Sequence, residues 1–543
     1  MSKYLTKNKA IFILLIFLLV ASGTIGTFFA FFLSALIDCA SGGGEELLST
    51  LMWSILFVIA CVLSDAGYRI LKVHVITDAR KRLKNDLFEN IYLRNMTEYE
   101  SGSSAEYINE LSNNINIFEN TYFKNFMTMG ELIVSLLVAC AICIYSQPVM
   151  LLVMFVLAFL TLGITKLTAK PLEQSMAEYS GTLEEYTAEI KDDFTGFATI
   201  HLFHTIDVLI HKHRDKNSKV EAAKRKSEGC QIFVSSVGQF VGMISTVIVM
   251  AAAAYFSQKG MFSAGMTIVF GHLIGNIVYP ITAIPSVIAN FHASRPLKKN
   301  FEKILVGKKE ETNSREPLPD GDIVLEHLTF GYGEKLVLND CSFRFESGKH
   351  YLLLGNSGEG KSSLLNLLAG LYRNYTGNIR VGDIDLVKAG RENMAASVAM
   401  VKQDTFLFND TIRNNITLFR EGYTQGELED VSARTGLKQL VTSLPNGLET
   451  LIYENGSNFS GGEKQRIGLA RALLRNSRIL LLDEFTANLD PGIAKELEDG
   501  ILGMEGKTVI TVTHQRDREK LEKYDHVLML RNGKIEPANV KEV

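Results

Sequence analysis

A glycine-rich segment, Gly355 to Ser363, holds the residues with the clearest chemistry in this sequence. It fits the pattern G-x-x-x-x-G-K-[ST] and follows the apolar run Tyr351 to Leu354, which predicts a buried strand that turns into a helix near Lys361. Backbone N–H groups in such a turn, together with the helix N-terminus, cradle phosphate. The predicted phosphate-binding residues are Gly355, Asn356, Ser357, Gly358, Glu359, Gly360, Lys361, Ser362 and Ser363.

Two later segments carry polar groups suited to an anion and to a divalent metal ion. The glycines of Ser460-Gly-Gly462 open the amphipathic run Lys464 to Leu474, which predicts a second anion site at a helix N-terminus. Asp483 ends the apolar run Ile479 to Leu482, so its carboxylate is expected to emerge at a sheet edge where Mg²⁺ can be held.

The order of these segments resembles that of ATP-binding cassette (ABC) proteins, specifically exporters with one membrane domain and one nucleotide-binding domain per chain. The resemblance covers about two hundred residues and is carried by the phosphate loop, Phe330 to Tyr332, Val401 to Gln403, Leu444 to Leu448, Glu454 to Arg466, Asp483-Glu484, Ala487 to Asp490 and Thr511 to His514. Two residues depart from the usual signature of the family: Phe459 stands where leucine is usual, and Glu463 where glutamine is usual.

The resemblance implies a role for several polar residues of these motifs. Tyr332 is expected to stack on adenine, and Glu484 to polarise the attacking water, because phosphoryl transfer depends mostly on positioning and charge. Gln403 is expected to complete the metal and water contacts, and His514 to contact the γ-phosphate. The predicted cofactors are ATP and Mg²⁺; the predicted catalytic residues are Glu484, His514 and Gln403, and the predicted metal ligands are Ser362, Gln403 and Asp483.

The resemblance also implies a second chain. In this family the signature of one chain caps the γ-phosphate bound to the other, which adds to the predicted ATP-binding set Ser460, Gly461, Gly462 and Glu463. Only one such domain is present here, so a dimer of half-transporters is expected. A homodimer is favoured because every catalytic position is present. A heterodimer stays open because Phe459 and Glu463 depart from the usual signature.

The apolar residues collect in the first half of the chain. The mean hydropathy of the 543 residues is slightly positive, and a bilayer core of about 30 Å needs about 20 apolar residues in a helix. Six stretches qualify, near residues 10 to 37, 47 to 68, 127 to 146, 149 to 168, 231 to 256 and 262 to 288. A cleaved signal peptide is the alternative for the first stretch, but the apolar run continues through Phe28 to Ile37 without a convincing cleavage site.

Positive charge gives the orientation, because loops rich in Lys and Arg stay cytoplasmic. Such residues precede the first stretch, fill the connections between the second and third and between the fourth and fifth, and follow the sixth. Both ends and the ATPase domain are therefore expected in the cytoplasm. The two charged connections are long and helical in pattern, and the family resemblance implies short coupling helices near Thr97 to Tyr107 and near Asp192 to Thr199.

Polar residues inside membrane helices are costly unless they meet a partner or a water-filled cavity. His272, Asn276 and Tyr279 are spaced i, i+4, i+7 and so share one helix face, and Gln239 lies in the fifth stretch. These four residues are a possible substrate cavity. Hydrogen bonding between helices is the equal alternative.

Other patterns exclude other functions. The pair Cys140 and Cys143 lies in an apolar run without a second pair, which favours packing over metal or redox chemistry, and the six cysteines form no disulfide framework. The histidines between residues 201 and 213 are typical of a wet helix face. A net charge of −4 without a basic stripe gives no indication of nucleic acid as a partner.

The predicted fold is an α-helical six-helix transmembrane domain followed by an α/β P-loop nucleotide-binding domain. The predicted boundaries are 1–295 for the membrane domain, 296–321 for a polar linker and 322–543 for the ATPase domain. The function expected from the resemblance is ATP-driven export of a lipid, a peptide or a drug-like molecule, with membrane lipid around the helices. An importer on the same fold and an ATP-gated channel or regulator are the alternatives; a soluble ATPase is disfavoured by the apolar stretches.

Overall fold

The protein divides into two compact units, which we describe separately. The computed structural model describes residues 1–41, 47–306, 318–333, 335–514 and 518–538. The first unit comprises Met1–Ile91 and Ser104–Gly307, and the second comprises Tyr92–Ser103 and Lys308–Val543. The middle of the predicted linker, residues 307–317, lies outside the described residues, so the boundaries predicted above stay a prediction.

The first half of the chain is helical throughout its described ranges. Its helices are α1 Ser2–Leu5, α2 Lys9–Ser41, α3 Leu47–Tyr92, α4 Met96–Glu100, α5 Ser104–Asn109, α6 Ile115–Phe118, α7 Lys124–Ser146, α8 Pro148–Thr195, α9 Phe197–Leu202, α10 Ile206–Gln258, α11 Met266–Ala293 and α12 Arg295–Leu305, with π-helical turns at Glu110–Asn114 and Glu119–Phe123. Helix α12 occupies the start of the predicted linker, and α4 belongs to the second unit.

Five helical stretches among the described residues are long and apolar enough to cross a membrane: Lys9–Ala40, Leu47–Tyr92, Ser104–Ser146, Ile206–Gln258 and Met266–Leu305. A sixth apolar stretch, Pro148–Ile164, is shorter. At a rise of about 1.5 Å per residue, α3 with its 46 residues is about twice as long as a bilayer core is thick. A multi-pass membrane domain is therefore clear, whereas the count of six crossings goes beyond the five long helices.

Small and flexible side chains pack the membrane helices together. The buried cluster shared by α2, α7, α8, α10 and α11 includes Ala30, Ala139, Met150, Ala253 and Phe270. Small residues let helix backbones approach closely where no hydrophobic driving force separates helix from lipid.

Polar side chains add bonds between membrane helices, including α3. The Tyr68 hydroxyl donates to Glu131 Oε1 at 2.7 Å, and the Lys72 ammonium reaches the same oxygen at 2.6 Å. Near the C-terminal end of α2, Asp38 accepts hydrogen bonds from the segment just before α11, namely from the Ser263 hydroxyl and from the backbone N–H of Gly265. These bonds compensate the desolvation of each carboxylate.

The second unit contains two sheets rather than one. Its strands are β1 Ile323–Tyr332, β2 Lys335–Phe345, β3 His350–Leu354, β4 Thr376–Val381, β5 Ile384–Asp385, β6 Val398–Val401, β7 Ile479–Asp483, β8 Thr508–Val512, β9 His526–Arg531 and β10 Lys534–Pro537. The larger sheet has the order β10-β9-β3-β8-β7-β6, with parallel pairs from β9 to β6. The smaller sheet, β2-β1-β4-β5, is antiparallel and was not anticipated by the sequence patterns.

Helices complete the second unit and enclose two main cores. They are α13 Lys361–Leu368, α14 Arg391–Ser397, α15 Ile412–Thr417, α16 Gln425–Arg434, α17 Leu437–Ser443, α18 Gly461–Leu474, α19 Pro491–Leu502 and α20 Arg518–Leu521. One core joins the antiparallel sheet to α13 and one side of the parallel sheet. The other lies under α15, α16 and α18, and it includes Phe459, so this departure from the usual signature is a buried packing residue.

The short helix α4 is attached to the second unit by apolar and polar contacts. Met96 packs against the first of these cores, and the Thr97 hydroxyl donates to Asn374 Oδ1 at 2.9 Å. The Tyr372 hydroxyl donates to the carboxylate of Glu100, with both oxygens at 2.8 Å. A segment of the membrane half of the sequence is thus bonded to the ATPase-like unit.

Replacing Tyr372 with Phe is expected to loosen this attachment. A hydrogen bond to a charged group contributes more than a neutral one, but Glu100 is exposed, so the free energy of unfolding should fall by about 1 to 2 kcal/mol. Tyr375 supplies the matched control, because its buried hydroxyl has no hydrogen-bond partner in the described structure. Thermal unfolding of the purified protein should show a lower midpoint for Tyr372→Phe, whereas Tyr375→Phe should not lower the midpoint. Equal midpoints for the two variants would contradict the assignment.

Candidate functional site

The phosphate loop lies between strand β3 and helix α13, as its sequence pattern predicts. Gly360 has φ +101°, and a Cβ atom there would come within 2.4 Å of Val337 Cγ1, so only glycine fits this turn. Lys361 opens the helix and is only 5% exposed. Its ammonium donates to the carbonyl oxygens of Gly355 and Asn356, both at 2.8 Å. Burial lowers the pKa of Lys361, and the nearby Glu484 carboxylate opposes that shift.

A carboxylate of the loop itself bonds to the start of the loop. Glu359 accepts from the backbone N–H of Asn356 at 2.8 Å and from the Asn356 side-chain amide at 3.0 Å. A Cβ atom on Gly355 would come within 2.8 Å of the same carboxylate, so the close approach depends on glycine. One donor of the loop is therefore paired with a negative charge of the same chain.

Asp483 at the end of β7 carries the predicted metal-binding carboxylate. It is 5% exposed, and its Oδ1 atom has no hydrogen-bond partner among the described residues. Burial raises the pKa of Asp483, while a hydrogen bond from Ser362 lowers it. A buried, unpaired carboxylate oxygen beside a serine hydroxyl is the donor set that a hard cation such as Mg²⁺ prefers. Ser362 and Asp483 therefore fit this ion.

The three predicted catalytic side chains meet at one carboxylate. Gln403 Nε2 donates to Glu484 Oε2 at 3.0 Å, and His514 Nε2 lies 2.8 Å from Glu484 Oε1. Glu484 has φ +45°, an uncommon value for a residue with a side chain, and its N–H donates to the Val512 carbonyl oxygen at 3.0 Å. The backbone is thus held in a strained turn directly after β7, where the carboxylate reaches two neighbouring segments.

Tyr332, the residue predicted to stack on adenine, lies at the end of β1 with 41% of its surface exposed. Its ring packs edge-on against Phe330 and Tyr372, with centroids 5.1 and 5.5 Å apart. The Ser363 hydroxyl donates to the Tyr332 oxygen at 3.3 Å, which joins the tyrosine to α13. An open aromatic face next to the phosphate loop suits a planar base.

The predicted signature forms the N-terminus of α18. Ser460 is the N-cap, and Glu463 completes a capping box: its carboxylate accepts from the Ser460 N–H at 2.7 Å, while its own N–H donates to Ser460 Oγ at 3.3 Å. Gly461 and Gly462 follow, and a Cβ atom on either would meet Asn488. The bonds of Ser460 and Glu463 thus run to each other, and the glycines allow the Asn488 segment to approach.

Sequence reasoning gave no role to Gln465, which links three segments of the site. This side chain is 2% exposed; its amide donates to the Gln403 carbonyl oxygen at 3.4 Å, and its oxygen accepts from the Asn488 N–H at 3.3 Å. A buried amide inside an amphipathic helix was the signal that could have indicated it, because buried polar groups require partners.

Arg471, six residues further along α18, was also missed. Its guanidinium donates to the carbonyl oxygens of Asn415 and Phe406, at 2.9 and 3.1 Å. Burial lowers the pKa of Arg471 to about 10, so the side chain remains charged at neutral pH. Asn415 is fully buried and bonds the backbone of Phe408 in both directions. These bonds fix the segment that follows Gln403.

The structure distinguishes Asn276 from the other three residues of the predicted substrate cavity. Asn276 donates to Thr27 Oγ1 at 3.4 Å, which is a bond between α11 and α2. His272, Tyr279 and Gln239 are exposed on the chain. The structure therefore gives Asn276 an interhelical contact, and it leaves the other three side chains available to a cavity, to lipid or to a second chain.

Comparison with known families matches both halves of the chain. A model described as "ABC transporter transmembrane region" matches residues 12–281, and one described as "ABC transporter" matches residues 338–487. The second match includes the phosphate loop, Gln403, the signature and Glu484.

Individual proteins give the same picture at low identity. The chain is 23% identical to an uncharacterized ABC transporter ATP-binding protein, YwjA, of Bacillus subtilis (strain 168), over 98% of this chain and 94% of that protein. It is 28% identical to an ATP-dependent lipid A-core flippase of Yersinia pestis, over 72% of this chain and 68% of the flippase. The structure of a bacterial Atm1-family ABC exporter with ATP bound is similar in fold, with a TM-score of 0.80, 20% identity, and coverage of 98% and 94%.

The close approach of Asn488 to the signature predicts different outcomes for its two glycines. A Cβ atom at Gly462 would lie 2.8 Å from the Asn488 backbone oxygen, whereas one at Gly461 would lie 3.3 Å from its side chain. Gly462→Ala should therefore lower the free energy of unfolding by about 1 to 3 kcal/mol. Gly461→Ala should be neutral or slightly stabilising, because alanine favours helix. Thermal unfolding without nucleotide measures both, and an equal effect of the two changes would argue against this contact.

Proposed function

The chain belongs to the ABC transporters as a half-size exporter, an ATP hydrolase coupled to transport, and from this premise we propose that it works as a dimer that exports its substrate by alternating access. The observation that carries the proposal is the meeting of Gln403, Glu484 and His514 at one carboxylate. Three segments placed by three parallel strands form this cluster, next to a phosphate loop with a buried lysine.

Each side chain of the cluster is assigned a role in hydrolysis. Glu484 accepts a hydrogen bond from the attacking water and so orients it toward the γ-phosphate. Gln403 and His514 hold the carboxylate in place through their contacts with it. They are also assigned to the water and to the γ-phosphate, respectively. Lys361 and the N–H groups from Gly358 to Ser363 bind the phosphates, and Tyr332 stacks on adenine.

Ser362, Asp483 and Gln403 are assigned to Mg²⁺. The unpaired buried oxygen of Asp483 and its hydrogen bond from Ser362 support this set. When bound, the ion neutralises phosphate charge. Asp483 must be ionised to serve as a ligand, and burial alone favours its neutral form, so the site favours the pairing of this carboxylate with a cation.

The signature supports a second chain in the active complex. Its exposed residues Ser460 and Gly461 form a helix N-terminus directed to solvent, and such an end binds anions. We assign Ser460 to Glu463 to the ATP held by the partner's phosphate loop. A homodimer is the first choice because this chain supplies every part of both sites, and a heterodimer remains the alternative because of Glu463.

Two exposed apolar surfaces also favour a dimer. The turn between α8 and α10 exposes Phe194, Phe197, Leu202 and Phe203. The second unit exposes an aromatic cluster in which Phe408 contacts both Phe406 and Phe419 edge-on. Exposed apolar patches of this kind mark contact sites. We assign the turn of one chain to the aromatic cluster of its partner.

Six membrane crossings are proposed, with Pro148–Ile164 as the sixth. Its continuation within the 48-residue helix α8 supports the assignment, since only a helix satisfies its backbone inside a bilayer. The basic connections support a cytoplasmic location for both ends and for the ATPase domain. The substrate cavity is assigned to Gln239, His272 and Tyr279, with Asn276 bonded to α2 beside them.

The substrate class is a lipid, a peptide or a drug-like molecule. Among these a lipid has support from the relatives whose printed name is lipid A-core flippase. Import on the same fold and gating without pumping are the alternatives. Movement of a labelled substrate against a gradient in proteoliposomes separates export, import and gating.

Replacing Glu484 with Gln should separate ATP binding from hydrolysis. The amide cannot act as a base, so turnover should fall by about 10² or more while ATP affinity stays nearly unchanged. In addition, the variant should retain ATP in a dimer whose mass is measured directly. Glu496→Gln, an exposed change on α19, should hydrolyse ATP like the original chain. Near-normal hydrolysis by Glu484→Gln would remove this residue from its role, and a complex of one chain would exclude the dimer.

Two changes on α11 should separate substrate contact from helix packing. Asn276→Leu removes the hydrogen bond to Thr27, so it should lower the free energy of unfolding by about 0.6 to 2 kcal/mol. Tyr279→Ala removes an exposed ring and should leave stability unchanged while it alters substrate-stimulated hydrolysis. Both quantities are measured on the same preparation, together with basal hydrolysis. Unchanged stimulation in Tyr279→Ala would remove this face from the cavity.

A further inference from the structure

The signature of this chain carries its own anion. Glu463 Oε2 accepts from the Ser460 N–H at 2.7 Å and from the Ser460 hydroxyl at 2.8 Å, and the Glu463 N–H donates to the same hydroxyl oxygen at 3.3 Å. The single proton of the Ser460 hydroxyl is therefore donated to this carboxylate. At this helix N-terminus, which faces solvent, the N–H groups of Ser460 and Glu463 are thus paired within the chain.

The charge of Glu463 is not balanced by a basic side chain. No Lys, Arg or His forms a salt bridge with it among the described residues. The 14-residue helix α18 instead balances it with the positive end of its dipole. An incoming phosphate at this helix end would use the donors of Ser460 and the same dipole, so phosphate and carboxylate compete for the N–H and hydroxyl of Ser460.

We propose that Glu463 is a resident competitor of the γ-phosphate: its carboxylate must give up Ser460 before the signature can engage ATP held by the partner chain. This inference rests on the dimer proposed above and adds to it a residue that sets the ATP concentration at which the two chains close. Glutamine at this position would retain the cap without the charge.

A second carboxylate in the same composite site supplies an internal comparison. Glu359 bonds Asn356 in the phosphate loop of its own chain. A closed site would contain Glu359 of one protomer and the partner's Glu463. Their reach differs. Glu359 acts on any nucleotide in its own loop, including ADP, whereas the signature meets only the γ-phosphate and therefore acts on ATP alone.

The test uses the full chain in lipid nanodiscs with Glu484→Gln present to block hydrolysis. Retained ATP is measured after rapid gel filtration, and the ATP concentration for half-maximal retention is compared with and without Glu463→Gln. We expect that concentration to fall about two- to fivefold at low salt, the range of one exposed charge pair. The ratio should shrink toward one at about 1 M salt, where the screening length is about 3 Å.

Binding of Mg-ADP is the control, and it should be the same with either residue at position 463. Glu359→Gln in the same background should instead shift the affinities for ADP and ATP together. The midpoint of thermal unfolding checks that each variant is folded, and the effect of salt on the chain that retains Glu463 gives a reading independent of the substitution.

Three outcomes overturn the inference. An unchanged ATP concentration at low salt shows that the carboxylate does not compete, and an equal shift in ADP affinity shows a change confined to the fold. A ratio independent of salt excludes a charge effect. Failure of the proposed dimer gives a different result, since the mass of the ATP-bound Glu484→Gln protein would then be that of one chain.

Discussion

The N–H of Glu484 donates to the carbonyl oxygen of Val512, and this bond fixes where the rest of the ATPase site can form. Strand β7 lies between β6 and β8, with Leu482 opposite Val401 and Asp483 opposite Val512. Because the strands are parallel, their carboxyl ends meet at one edge of the sheet. Gln403 and His514 each follow their strand by two residues, so both arrive beside the carboxylate of Glu484. Sheet register, more than any single side chain, assembles this cluster.

Much of the ATPase half of the chain could be predicted from the sequence, because short apolar runs next to polar motifs indicate both the position of a strand and the residues at its end. Both strands expected from such runs are present, β3 before Gly355 and β7 ending at Asp483. The antiparallel sheet escaped prediction, since β1 and β2 alternate buried and exposed residues irregularly and their pairing contains register shifts. The bond from Glu463 to Ser460 could have been found, because S-x-x-E before an amphipathic run is a capping-box pattern.

The membrane half was less predictable for a physical reason. Hydropathy gives the length of an apolar stretch but not which face of the helix meets another helix, since lipid and buried side chains are equally apolar. The spacing of His272, Asn276 and Tyr279 placed them on one face, yet only the structure brings Asn276 within reach of Thr27. Long-range contacts of this kind depend on helix rotation, on which a local pattern carries no information.

Gln465 connects the two nucleotide-facing surfaces of one chain. Its amide donates to the carbonyl oxygen of Gln403, a residue that we assign to the nucleotide of its own phosphate loop. Its oxygen accepts from the N–H of Asn488, which packs against the signature glycines. A buried amide that loses a partner costs about 1 to 3 kcal/mol. If Gln403 shifts when nucleotide binds, α18 and the Asn488 segment must follow or leave this amide unpaired. In the dimer that we propose, the same side chain would tie occupancy of one ATP site to the position of the signature assigned to the other.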